Sequence, residues 1–192
     1  MTAQDVLDFW FLPPGVEGYG KPRAEWFSAN PAFDELIRTQ FGPQIELAMA
    51  GGLREWDQQG PGGVLARILL LDQFTRNAYR GTAQSFAGDA LALAAARQQA
   101  DDGADQSLLP VQRWFAYMPF EHAENAAMQE RSVELFTALA AANPGFEGVL
   151  DFAIRHSGVI ARFGRFPGRN AALGRASTPE EIAYLAAGGS GY

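Results

Sequence analysis

An all-α fold of about seven or eight helices in antiparallel pairs is what this sequence predicts. Three observations carry it. Apolar residues recur at helical spacing through most of the chain, helix-starting and helix-stopping residues bracket those stretches, and no segment alternates apolar and polar residues between hairpin turns. With 192 residues the chain suits one domain, expected over 1–187. Gly188-Gly189-Ser190-Gly191 reads as the start of a flexible tail, 188–192.

Thr2 is placed to cap a first helix, with Asp5 at the capping-box position and Val6, Leu7, Phe9 and Trp10 supplying apolar surface. Pro13-Pro14-Gly15 ends it, and an aromatic loop follows through Tyr19, Trp26 and Phe27. Asn30-Pro31 is an N-cap followed by proline at the first helical position. Gly42-Pro43 is expected to kink or restart that helix, and Gly51-Gly52 to end it. After a break over Gly60–Gly63, a helix from Val64 to about Arg76 carries the apolar run Ile68-Leu69-Leu70-Leu71, which suggests burial on all sides. Asp89 is expected to cap an alanine-rich helix over Ala90–Ala100. Pro110 opens a short helix that Pro119 should interrupt, and a longer one is expected from Phe120 to Ala142. Another spans Phe146–Phe163, and Thr178-Pro179-Glu180-Glu181 starts the last.

Hydrophobic residues make up 47% of the chain, which excludes disorder over most of it. The absence of cysteine removes disulfides, thiolate zinc sites and cysteine nucleophiles together. Asp5 and Asp8 stand where a secretory signal would be basic, and no apolar run approaches the ~18 residues of a membrane span, so a cytoplasmic protein is expected. A net charge of −7 and a pI of about 4.8 argue against nucleic acid as a partner. Against that background, Arg155–Arg175 holds five arginines (Arg155, Arg162, Arg165, Arg169 and Arg175) and no acidic residue. Arginine supplies a planar fork of donors suited to carboxylate or phosphate.

Three polar clusters interrupt the apolar pattern. In the first, Asp72, Arg76 and Arg80 lie at i, i+4 and i+8, with Gln73 over Asn77 and Tyr79 alongside. The second is Glu121-His122-Ala123-Glu124-Asn125; on a continuous helix His122, Asn125 and Gln129 share a face. A histidine beside carboxylates is suited to acid/base work, and His122 and Glu124 are the candidate catalytic pair. The spacing lacks the second histidine of a metalloprotease motif. The third joins His156 to Arg162, Arg165, Arg169 and Asn170 around Gly164, Pro167 and Gly168, a bend fitted to an anion. Internal ion pairing accounts for the same residue types.

Read together, Leu69-Leu70-Leu71-Asp72-Gln73-Phe74, Arg76-Asn77, Tyr79-Arg80-Gly81, Pro119 with His122 and Glu124, and Arg162-Phe163-Gly164-Arg165-Phe166-Pro167 with Arg169-Asn170 resemble the bacterial domain-of-unknown-function family nine-two-four. The Val6–Phe11 stretch and Trp26-Phe27 fit as well, so the resemblance covers nearly the whole chain. It implies an all-helical fold similar to tetratricopeptide-like superhelices and no established activity. The chain departs from that family's pattern at Thr75 (usually proline), Gly168 (usually histidine), Asn125 (usually aspartate), and Ser157-Gly158 (commonly arginine and aspartate). Losing a histidine and two carboxylates turns the reading from metal chemistry toward anion recognition, so no metal and no cofactor is expected.

The functional expectation is therefore a site for an anionic small molecule, phosphate or carboxylate, and one that catalyses if His122 and Glu124 act on it. Its ligand-binding set is Asp72, Gln73, Arg76, Asn77, Tyr79, Arg80, Glu121, His156, Arg162, Arg165, Arg169 and Asn170, and the three segments are expected to converge. The alternative is an interaction scaffold whose arginines hold an acidic peptide or a C-terminal carboxylate. Counting only Asp72, Glu121 and Glu124 against Arg76, Arg80, Arg162, Arg165 and Arg169 leaves the site about +2.

Overall fold

In the computed structural model, which describes residues 1–189, helix is the only regular secondary structure, with nine α-helices among the described residues. Ser190, Gly191 and Tyr192 of the expected tail lie outside the described residues. Gly188 and Gly189 close the last helix, donating to the Leu185 and Tyr184 carbonyls at 3.1 and 2.9 Å. No helix among the described residues is long and apolar enough to cross a membrane. The chain forms two compact units, Met1–Arg80 with Gln84–Pro119, and Gly81–Ala83 with the residues from Phe120 onward.

In the first unit, α1 (Ala3–Phe11) starts at the Thr2–Asp5 capping box and buries Val6, Trp10 and Phe11. Its last carbonyls, on Phe9 and Trp10, accept from Arg23 at 2.8 and 2.9 Å. Trp10 stacks on Trp26 at 5.8 Å, lies tilted against Phe74 at 5.2 Å and meets Phe115 edge-on at 5.5 Å. This aromatic cluster is the core of the unit. Helix α2 (Pro31–Met49) opens on the Asn30 cap and runs through Gly42-Pro43 without ending and restarting there. Phe33, Ile37, Phe41, Ile45 and Ala48 bury one face while Pro43 lies on the exposed one, where the carbonyl its missing N–H leaves is open to solvent.

The glycine break before the third helix is shorter than expected. Gly60 is the N-cap and Pro61 begins α3 (Pro61–Ile68), so Gly62 and Gly63 are helical. The run then widens into a π-turn, Leu69–Phe74, before one last turn, α4 (Thr75–Ala78). Every residue from Leu65 to Thr75 is buried, which is why the apolar pattern shows no polar face. Helix α5 (Asp89–Asp101) has Gly88 as its N-cap, and Asp89, expected there, is the first helical residue and pairs with Arg76. Helix α6 (Pro110–Glu121) continues past Pro119, because burial of Phe115 through Phe120 outweighs the lost hydrogen bond.

The second unit is built on the hairpin of α7 (Ala126–Ala142) and α8 (Glu147–Phe163), which pack along each other. Gln129, Ser132, Phe136 and Leu139 face inward from α7, and Val149, Ala153, His156, Val159 and Ile160 from α8. Gly164, at φ 69°, ends α8 in the left-handed conformation that glycine adopts at least cost, and so redirects the chain. Phe166 follows, fully buried, and then a single 3₁₀ turn, Pro167–Arg169. Helix α9 (Pro179–Ala186) starts at the expected Thr178–Glu181 capping box.

Candidate functional site

The first cluster lies in the first unit, where the π-turn sets its geometry. Asp72 is fully buried, with its carboxylate 3.3 Å from Arg76 Nη1 and accepting from Gln73 Nε2 at 2.5 Å. Arg76 donates to Asp89 Oδ1 and Oδ2 at 2.9 and 3.2 Å and lies over the Phe86 ring. Burial works against its charge, but Asp72 and Asp89 outweigh burial and raise its pKa. Asn77 and Arg80 both reach Asp34 on α2, Asn77 at 2.7 Å and Arg80 through a fork at 2.7 and 2.8 Å. Burial raises the Asp34 pKa, but hydrogen bonds from Arg80 and Asn77 and the Arg80 charge carry it below the usual carboxylate range. Tyr79 donates to Glu46, and burial and then that carboxylate push its hydroxyl up to about 12.

In the second unit the expected helical face of His122, Asn125 and Gln129 does not form. Helix α6 stops at Glu121, and Asn125 is the N-cap of α7, accepting from the Met128 amide at 3.1 Å. Gln129 turns back and donates to the Glu121 and Ala123 carbonyls at 2.7 and 2.8 Å. It thereby satisfies main-chain acceptors that the helix end exposes. The break turns Glu124 toward the third cluster. Its carboxylate accepts from Arg175 at 2.6 and 2.9 Å and from the Phe166 amide at 2.7 Å. Burial raises the Glu124 pKa, but those hydrogen bonds and the Arg175 and Arg169 charges lower it further than burial raises it.

His156 Nδ1 lies 2.9 Å from Glu121 Oε1 and 2.8 Å from the Phe152 carbonyl. Both neighbours accept, so Nδ1 carries a proton and donates it between them. His156 and Glu121 are 4% and 3% exposed. The His122 ring is 6.1 Å away and Phe166 packs edge-on at 5.6 Å. Arg169, 5% exposed, donates to the His122 carbonyl at 3.0 Å and stacks over Phe166 at 4.6 Å. Arg165 forks onto Glu181 at 2.7 and 2.8 Å, and Arg162 donates to Glu180 at 2.9 Å. Asn170 donates to Ser177 and Glu181 at 3.0 and 3.2 Å and accepts from Arg175 at 2.9 Å. Thus Glu121, His122, Glu124, His156, Arg165, Arg169 and Asn170 gather in the second unit. In the first unit Asp72, Gln73 and Arg76 join Asp89, Asn77 and Arg80 share Asp34, and Tyr79 pairs with Glu46.

Residues 6–189 match the family model described as a bacterial protein of unknown function (DUF924). The chain belongs to that family. A solved structure of a protein of unknown function from Agrobacterium tumefaciens is similar at 38% identity and a TM-score of 0.81, over 95% of this chain and 96% of that one. No curated protein matches the chain.

The charge balance is where sequence reasoning missed partners. Asp34 and Asp89 serve Arg80 and Arg76, Glu180 and Glu181 serve Arg162 and Arg165, and Arg175 serves Glu124. The residual of about +2 takes in only Asp72, Glu121 and Glu124 and leaves out Asp34, Asp89, Glu180 and Glu181. Arg175 stood in the arginine-rich window, and Glu181 was visible as a capping residue. Neither signal announces a partner 51 or 16 positions away.

Proposed function

We propose that the second unit binds a small anionic molecule, a phosphate or carboxylate compound, beside His122 and Arg169, and that His156 is the proton-transfer group of that site. The observation that carries this reading is the buried Glu121–His156 pair at 2.9 Å, which fixes the ring. Arg169 supports the anion half of the proposal. Its guanidinium is held against the His122 carbonyl and the Phe166 face, in the same neighbourhood as the imidazole. Glu124, bound by Arg175 and the Phe166 amide, holds the turn in place, so the acid/base role passes from His122 and Glu124 to His156 with Glu121 behind it.

Thermal-shift titration with inorganic phosphate, acetate and citrate is the test, run on wild type, Arg169→Lys and His156→Gln. The expected result is a saturable rise in Tm for wild type and about tenfold weaker binding in Arg169→Lys, which keeps the charge and loses the fork. His156→Gln should retain binding, because the anion is held by Arg169 rather than by the imidazole. No stabilisation of wild type by any of these anions overturns the proposal.

A further inference from the structure

A second place in the molecule has the makings of a ligand site, and it shares no residue with the clusters above. A cleft of about 190 Å³ in the first unit is lined by Asp57, Gly60, Pro61, Arg67, Gln98, Gln99 and neighbouring side chains. Gln99 is 3% exposed and donates through Nε2 to the Pro61 carbonyl at 2.9 Å. That bond fixes which end of the amide is which, because reversing it would set two acceptors against each other. Gln99 Oε1 is buried with no hydrogen-bond partner among the described residues. Arg67 spends Nε and Nη2 on Asp57, at 2.9 and 2.7 Å, which leaves Nη1 for another acceptor.

We infer that this cleft binds a small uncharged polyhydroxyl compound, a sugar or polyol. A buried acceptor without a donor is costly, and a cleft that also presents a guanidinium N–H needs an occupant that both donates and accepts. A hydroxyl group does both. The Arg67–Asp57 pair is neutral as a unit and the exposed Asp102 adds a negative charge, so an anion gains no net attraction there. Val64, Ala95 and Ala104 offer apolar surface to C–H groups. The cleft lies below the roughly 300–1,000 Å³ of sites for drug-sized ligands, which limits the occupant to about one ring.

Amide and side-chain NMR of the full chain tests this, with glucose, ribose and sorbitol titrated separately and acetate and phosphate as charged comparators. The expected result is saturable shifts of the Gln99 side-chain NH₂ and the Gly62 and Gly63 amides with at least one neutral compound. Gln99→Met, which keeps volume and loses Oε1, should bind about tenfold more weakly, with an unchanged circular dichroism spectrum. If Gln99→Met does not fold, Gln98→Ala on the exposed rim takes its place and should weaken binding by a smaller factor. Shifts with the anions alone, shifts that Gln99→Met or Gln98→Ala leaves intact, or no shifts with any probe overturn the proposal and leave water as the occupant.

Discussion

Single carboxylates decide how this protein holds its arginines. Glu181 does so most densely, accepting from Arg165, Asn170 and the Thr178 amide. Those bonds, Arg165 first, push its carboxyl from the ordinary 4.5 down to about 2. A carboxyl depressed in the folded state resists protons that the unfolded chain accepts. Its contribution is therefore complete above about pH 4.5 and drains away as the pH falls toward about 2. Denaturant melts of wild type over that window should show stability falling with pH, and Glu181→Gln should show a shallower fall. Equal slopes would mean that the Arg165–Glu181 fork is not formed in solution. The same logic makes the sequence-level reading of Glu124 as an acid/base group hard to sustain, since two arginine nitrogens and an amide already hold it as an anion.

At the scale of elements, the two internal prolines and the π-turn show how packing overrides local preference. A proline inside a helix costs about 3 kcal/mol, yet α2 and α6 continue because each buries an apolar face that a break would expose. The polar residues of the first cluster fall where they do because of the π-turn, whose extra residue rotates α4 relative to its place on an unbroken α-helix. Thr75 donates to the Leu71 carbonyl at 2.8 Å, and the Gly88 backbone crosses that same carbonyl so closely that a β-carbon there would lie 2.2 Å from it. Gly88→Ala should therefore destabilise the protein by about 1–3 kcal/mol, despite alanine being the better helix former. Urea unfolding measures this, and an unchanged midpoint would show that the π-turn yields without cost.

Over the whole molecule, charge is matched locally rather than displayed. Arg76, Arg80, Arg162, Arg165 and Arg175 each face a carboxylate of the same chain, and the net charge is −7. An arginine-rich stretch neutralised in this way presents little positive field to a polyanion. Filter-binding assays with single- and double-stranded DNA and RNA at ~0.15 M salt should show no retention. Retention that weakens steeply with salt would mean that the Arg155–Arg175 stretch opens and offers its guanidinium groups after all.

The all-α class, most helix boundaries and the burial of the Ile68–Leu71 run were determined by the sequence alone, because apolar periodicity and capping chemistry act within a few residues. The Thr2, Asn30 and Thr178 caps are of this kind. The family was legible for a related reason: its motifs are short ordered strings. What only the tertiary structure decided is everything that depends on distant partners. Pro43 and Pro119 stay helical because of faces packed elsewhere, and Asp89, one residue inside the helix, pairs with Arg76. Glu121 finds His156 across 35 positions, a pairing no periodicity announces. Ion pairs of this kind form between groups brought together by packing, and a sequence states which charges exist without stating which will meet.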